Sequence, residues 1–252
     1  MDCRVAAEYV WRVAKFAEIW TPAPAADNPR YRISDDGAPM PQKTDALLPI
    51  LERQPVIPVL KIDRLADAVP LARALASGGL PAIEITLRTP DAMDAIRLVA
   101  EEVEGVCVGA GTVLTPRQYD KAVAAGSKFI VSPGTTQELL DAARASEIPL
   151  LPGAITPSEI MSIYEEGYSV LKFFPAEQAG GAGFLRALSS PLAGIRFCPT
   201  GGITAANARD YLSLTNVVCV GGSWVAPDDL VKAGAWDKIE ALAAAAADLK
   251  LS

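Results

Sequence analysis

Histidine is missing from all 252 residues. That absence removes the Ser-His-Asp triad, the Cys-His pair, His-ligated zinc and the histidine general base together. Acid–base chemistry then has to come from Glu, Asp, Lys, Tyr, Cys or bound water. Cysteine is scarce: Cys3, Cys107, Cys198 and Cys219 show no CxxC spacing. Neither a zinc site nor a disulfide framework is indicated, and the sequence reads as reduced and cytoplasmic. No apolar run approaches the roughly 18 residues of a membrane span, and the N-terminus lacks the charged-then-apolar order of a signal peptide. Positive charge is also in deficit, with 23 Lys and Arg against 30 Asp and Glu for a net charge of −7. That argues against binding nucleic acid, while leaving room for a small cationic pocket around an anionic metabolite.

Apolar residues are plentiful. They make up 50% of the chain, with 21% charged, the balance of a protein that buries a sizeable core. The length allows one large or two small domains. Residues 1–42 differ from the rest. Val5, Tyr9, Val13, Phe16 and Trp20 recur at helical spacing, and Thr21 to Pro41 is a Pro-, Asp- and Asn-rich stretch without period, expected to be linker or disorder. A docking helix is one explanation of the stripe and a non-core extension is the plainer one. Met40 stands where a shorter chain would start.

From Lys43 onward, short β-branched runs alternate with segments of helical period. Strands are expected to begin near Val56, Ala82, Val106, Lys128, Pro149, Val170, Ile195 and Val217. Helices are expected over Leu65–Ala76, Asp91–Glu102, Pro116–Ala125, Gln137–Ala145, Pro157–Glu165 and Ala205–Leu212. Thr115-Pro116 and Thr156-Pro157 have the residue order of helix starts. Eight strands roughly 20 to 26 residues apart, each followed by a helix, predict a parallel α/β fold. About 210 residues in eight such units suit a closed (β/α)8 TIM barrel over residues 43–252 better than an open sheet. No GxGxxG opens the first β–α turn, which weakens the case for a dinucleotide-binding sheet.

In a barrel, chemistry gathers at the C-terminal ends of the strands. In Ala82-Ile83-Glu84-Ile85-Thr86-Leu87-Arg88, the odd positions are apolar and should face the helices. Ala82, Glu84, Thr86 and Arg88 should then point inward. A carboxylate and a guanidinium on a buried strand are costly unless paired or used. A Glu84–Arg88 ion pair that only specifies packing is the alternative to a functional role. In Ser169-Val170-Leu171-Lys172-Phe173-Phe174-Pro175, alternation turns Lys172 inward with Val170 and Phe174, and Leu171 and Phe173 outward. Removal from water favours a free amine over an ammonium, and a free amine in a dry pocket is what attack on a ketone requires. A lysine that snorkels to the mouth or pairs with Glu84 is the alternative. As a nucleophile, Lys172 would leave Glu84 to shuttle protons in place of the missing histidine.

Thr200-Gly201-Gly202 and Gly221-Gly222-Ser223 are expected to follow the seventh and eighth strands, where barrels hold phosphate on backbone N–H groups. Gly180-Gly181 would add to the rim. Gly109-Ala110-Gly111-Thr112 and Ser132-Pro133-Gly134 close two other strands with small residues that keep the mouth open. Thr112 offers a hydroxyl for a carboxylate beside Arg88. Cys107, Cys198 and Cys219 are expected to be core filler.

The segments Glu84-Ile85-Thr86-Leu87-Arg88-Thr89, Gly109-Ala110-Gly111-Thr112, Lys172-Phe173-Phe174-Pro175-Ala176-Glu177, Arg196 to Ile203 and Gly221-Gly222-Ser223-Trp224 closely resemble the 2-keto-3-deoxy-6-phosphogluconate (KDPG) aldolases. These also act as 4-hydroxy-2-oxoglutarate (KHG) aldolases. The resemblance runs from Leu47 to Leu249 in family order. It implies a homotrimeric (β/α)8 barrel of the Schiff-base type, without metal or organic cofactor, serving the Entner–Doudoroff cleavage of a phosphorylated keto acid. Carried over, the Schiff-base lysine falls on Lys172 and the acid–base glutamate on Glu84. The carboxylate-binding pair falls on Arg88 and Thr112, and the phosphate loops on Gly201, Gly202, Gly222 and Ser223. Thr200 and Pro133 fall beside the keto-acid end. Residues before Lys43 have no counterpart in that pattern. The competing readings are an aldolase for the galactonate epimer, a phosphosugar isomerase or epimerase, and a catalytically silent trimeric scaffold. The isomerase leaves a buried lysine unexplained, and the scaffold would be marked by loss of Lys172 or Glu84.

Overall fold

Thr115 and Thr156 start helices as their sequence positions announce. Their side chains accept hydrogen bonds from the backbone N–H groups of Gln118 and Glu159, each with proline at the head of the helix, and Glu159 completes a capping box on Thr156. The computed structural model describes residues 42–249. The expected amphipathic stretch from Val5 to Trp20, the segment 21–41, Met40 and Cys3 lie outside the described residues.

The described chain runs α1 (Thr44–Leu51), β1 (Val56–Leu60), a 3-10 turn (Leu65–Asp67), α2 (Ala68–Ser77), β2 (Ala82–Thr86), α3 (Ala92–Glu102), β3 (Cys107–Gly111), α4 (Pro116–Ala124) and β4 (Ile130–Val131). It continues through α5 (Gln137–Ala145), β5 (Leu150–Leu151), β6 (Gly153–Ala154), α6 (Pro157–Glu165), β7 (Val170–Phe173), α7 (Gly181–Leu188) and β8 (Arg196–Pro199). The last elements are α8 (Ala208–Leu212), β9 (Val220–Gly222), α9 (Asp228–Lys232) and α10 (Trp236–Ala247). α3 shows why such segments fold as they do. It buries Ala92, Ala95, Ile96 and Val99, one stripe at helical period.

Several expected boundaries move. The helix expected from Leu65 opens as a 3-10 turn before α2, and the one expected from Ala205 shrinks to α8. The fifth strand is split by Pro152, which has no N–H for a ladder but whose carbonyl accepts from Lys172 N–H at 2.8 Å. Gly221 and Gly222 lie inside β9 rather than after it, and Arg88 lies beyond the end of β2 on an exposed turn.

All strand pairs are parallel. One sheet has six strands in the order β5-β4-β3-β2-β1-β9, and a second has three in the order β6-β7-β8. The ladders thus form two sheets, where the sequence pattern leads one to expect a single closed ring of eight. Isolated bridges Phe197↔Val217 and Thr200↔Gly221 connect β8 to the β9 segment.

Two apolar clusters result from period-2 alternation. Ile83, Ile85, Leu171 and Phe173 join the large cluster with the helices. Ala82, Val170, Ile57, Phe129, Leu151 and Cys198 join an inner one with Leu47 and Leu51 of α1. Each fully buried aliphatic chain contributes roughly 1.5–3 kcal/mol. Buried Gln54 is satisfied beside this inner cluster: Nε2 donates to Val56 O and Ala82 O at 2.7 and 2.8 Å, and Oε1 accepts from Ala82 N–H at 2.8 Å. Among the described residues, no helix is long and apolar enough to cross a membrane.

Candidate active site

Glu84 and Lys172 arrive from different sheets and meet. Both stand on the inner face, as their neighbours Ala82 and Val170 do. Glu84 is in register with Val59 of β1 and Gly109 of β3, and Lys172 with Gly153 of β6 and Cys198 of β8. Lys172 Nζ donates to Glu84 Oε1 at 3.2 Å, with the two residues only 5% and 3% exposed. The Phe174 ring lies with its centroid 5.5 Å from the same nitrogen. Of the two pairings that the sequence left open for Glu84, with Arg88 or with Lys172, the structure holds the one with Lys172.

The strand beside Glu84 is cut back to make room. A Cβ on Gly111 would stand 2.0 Å from Glu84 Oε1, and one on Gly109 would stand 2.4 Å from the Phe129 ring. Glycine at 111 is therefore demanded by the space the carboxylate occupies. A buried ion pair is weak evidence for stability, because desolvating two charges offsets their attraction. The arrangement makes sense as chemistry. An amine and a carboxylate in contact place a nucleophile beside a group that can pass protons to and from it.

Arg88 reaches the rim from the turn after β2. Its Nε donates to Thr86 Oγ1 at 2.9 Å, and Thr86 Oγ1 donates to Leu60 O at 2.8 Å. That chain anchors the side chain at Nε, and among the described residues its terminal nitrogens meet no protein acceptor. Thr112 follows the end of β3, which pairs Gly111 with Thr86, so Arg88 and Thr112 leave neighbouring strand ends. Thr112 holds φ at 58°, left-handed backbone that costs a non-glycine residue about 1–2 kcal/mol.

Thr200 is 7% exposed and faces Gly221, where a Cβ would stand 2.2 Å from Thr200 Oγ1. Close approach of the residue after β8 to β9 therefore explains why glycine stands at 221 within the strand. Gly201 and Gly202 take φ of 103° and 74°, and among the described residues their N–H groups donate to no protein acceptor. Gly222 packs under the Trp224 ring and Ser223 is exposed beside it. Pro133 lies against the strand next to Lys172, since a Cβ on Gly153 would meet its carbonyl at 2.4 Å. Gly180 and Gly181 open α7. Cys198 and Cys219 are buried, 3.5 Å apart, and Cys107 is partly exposed.

Sequence pattern alone did not single out Thr86 as the brace for Arg88 or Gly111 as the gap for Glu84. A threonine two residues before the rim arginine was a usable signal, since its inward position on β2 was legible. Taken together, the site offers an amine, a buried carboxylate, a rim cation and a glycine loop with open N–H groups. Those groups suit a keto acid that carries a second anion at its far end.

The family described as Aldolase: KDPG and KHG aldolase matches residues 48–242. The 2-dehydro-3-deoxy-phosphogluconate aldolase of Dickeya dadantii is 52% identical over 194 residues, covering 77% of this chain and 91% of that protein. The KHG/KDPG aldolase of Escherichia coli K12 is 50% identical over the same length and the same shares. Among solved structures, a KDPG aldolase from Legionella pneumophila, with pyruvate captured at low pH as a covalent carbinolamine intermediate, superimposes with a TM-score of 0.78. It is 47% identical, over 80% of this chain and 98% of that one. The chain with the buried Lys172–Glu84 pair belongs to the KDPG and KHG aldolase family.

Proposed function

We propose that this protein is a Schiff-base aldolase. It cleaves 2-dehydro-3-deoxy-6-phosphogluconate to pyruvate and glyceraldehyde 3-phosphate, and 4-hydroxy-2-oxoglutarate to pyruvate and glyoxylate. The observation that carries this reading is the buried contact of Lys172 Nζ with Glu84 Oε1 at 3.2 Å. Lys172 attacks the C2 ketone, and the carbinolamine loses water as Glu84 passes protons through solvent. The protonated imine then accepts the electrons of the C3–C4 bond when the C4 hydroxyl is deprotonated. The aldehyde leaves, the enamine is protonated at C3, and hydrolysis returns pyruvate and the free amine. General acid–base help of this kind is worth about 10²–10⁴ in rate.

Arg88 and Thr112 hold the pyruvyl carboxylate, with Pro133 and Thr200 beside it. Gly201, Gly202, Gly222 and Ser223 receive the phosphate on backbone N–H groups and a hydroxyl. Binding at that remote end is spent on orienting the bond that breaks. The chemistry uses the protein's own amine and calls on no metal or organic cofactor.

We infer further that the two sheets are parts of one closed (β/α)8 barrel over residues 43–252, with β5 and β6 a single strand interrupted at Pro152. Support comes from the bridges Phe197↔Val217 and Thr200↔Gly221, and from an inner cluster that draws Ala82 and Val131 from one sheet and Val170 and Cys198 from the other. The protein works in the cytoplasm as a homotrimer. The test of the activity is pyruvate release from each substrate, followed through lactate dehydrogenase. Release from both that disappears in Lys172→Ala supports the reading, and turnover retained by Lys172→Ala removes the imine.

A further inference from the structure

The segment that follows Lys172 is clamped to the first glycine loop, and the clamp has an outer pin. Ala176 N–H donates to Thr200 O at 2.8 Å and Glu177 N–H donates to Gly201 O at 3.1 Å. A Cβ on Gly202 would stand 2.7 Å from Cβ and Cγ of Glu177, so the loop lies flat against that side chain. From the other side, Asn207 Nδ2 donates to Gly202 O at 3.2 Å while its Oδ1 accepts from Thr204 N–H at 2.7 Å. Glu177 itself is exposed, and a free carboxylate there would sway in solvent beside a loop meant for an anion. It is not free. The Tyr211 hydroxyl, from α8, donates to Glu177 Oε1, and Tyr211 is 1% exposed. Burial and that hydrogen bond push the Tyr211 phenol well above its ordinary value, so it remains a donor at every working pH.

We propose that Tyr211 and Glu177 are positioning residues for the phosphate end of the substrate: the Tyr211 hydroxyl fixes Glu177, and Glu177 fixes the Gly201–Gly202 loop. The inference rests on the reading of that loop as the phosphate cradle. It reaches the loop without touching Arg88, Thr112 or Glu84, so it acts on one end of the substrate only. A hydrogen bond to a carboxylate is of the stronger, charge-assisted kind, suited to holding a loop in one place.

The test is Tyr211→Phe in the full chain, assayed with phosphorylated 2-dehydro-3-deoxy-6-phosphogluconate and unphosphorylated 4-hydroxy-2-oxoglutarate. KM for the phosphorylated substrate rises about tenfold, equivalent to about 1.4 kcal/mol. Its kcat, and both constants for the unphosphorylated substrate, stay within about twofold. Glu177→Gln keeps an acceptor for the phenol and behaves as the unaltered protein, whereas Glu177→Ala reproduces Tyr211→Phe. A Tyr211→Phe protein that changes both substrates alike, or neither, overturns the inference. The parent reading fails separately, in the unaltered protein, if inorganic phosphate does not compete with the phosphorylated substrate, and this inference then falls with it. Competition by phosphate with an unchanged Tyr211→Phe removes only the positioning role.

Discussion

Adding one methyl group at Gly111 tests whether the placement of Glu84 drives the reaction. A Cβ there stands 2.0 Å from Glu84 Oε1, against an ordinary contact that begins at 3.4 Å, so the carboxylate must retreat by about 1.4 Å. Its present distance to Lys172 Nζ is 3.2 Å, and a displacement of that size takes the carboxylate out of its present geometry with the amine. Misplacement of a reacting group by about 1 Å costs about 10²-fold, within the 10²–10⁴ that a general acid–base group is worth. Gly111→Ala therefore lowers kcat about 100-fold in the coupled pyruvate assay. Overpacking also destabilises the protein by roughly 1–3 kcal/mol, which a thermal melt reports independently of turnover. The decisive comparison is the double variant. If the methyl acts through Glu84, then in a Glu84→Gln background Gly111→Ala adds at most about threefold. A kcat within threefold of the unaltered protein, or a loss that multiplies fully on Glu84→Gln, refutes the reasoning.

Arg88→Ala raises KM for both keto-acid substrates about 10- to 100-fold, the worth of a charge-assisted contact to a carboxylate. The melting temperature barely moves, because Arg88 is exposed and held by one bond to Thr86; an unchanged KM assigns the carboxylate to another group. The hydrogen bond to Cys198 and burial push the Cys219 thiol well up. Its thiolate fraction at pH 8 is correspondingly below that of a free cysteine. Ellman's reagent at pH 8 therefore leaves Cys219 unlabelled in the folded protein and labels it in denaturant; rapid native labelling contradicts the buried thiol pair.

Glu84 and Lys172 were legible because each is the lone charge in the buried part of an apolar strand, and period-2 alternation then leaves one face for it. Ala82 and Val170 in the inner cluster, with Ile83 and Leu171 in the outer one, bear this out. Alternation does not tell where a ladder ends, so Arg88 was expected on a strand that stops at Thr86. Gly221 of β9 resembled a loop residue because its reason for being glycine lies across the sheet in Thr200. α7 begins at Gly181 against glycine's poor helix propensity, and burial of Leu185 and Leu188 outweighs that propensity. The partner of Lys172 was legible only as one of two alternatives, since pairing between strands 88 residues apart depends on how the sheets face each other.

The central claim, an imine on Lys172, is tested most directly by borohydride reduction in the presence of pyruvate, followed by peptide mapping. The account predicts irreversible inactivation that requires both reagents, with a reduced pyruvyl adduct on the peptide that carries Lys172. Absence of any adduct on folded protein, or an adduct confined to another lysine, contradicts it.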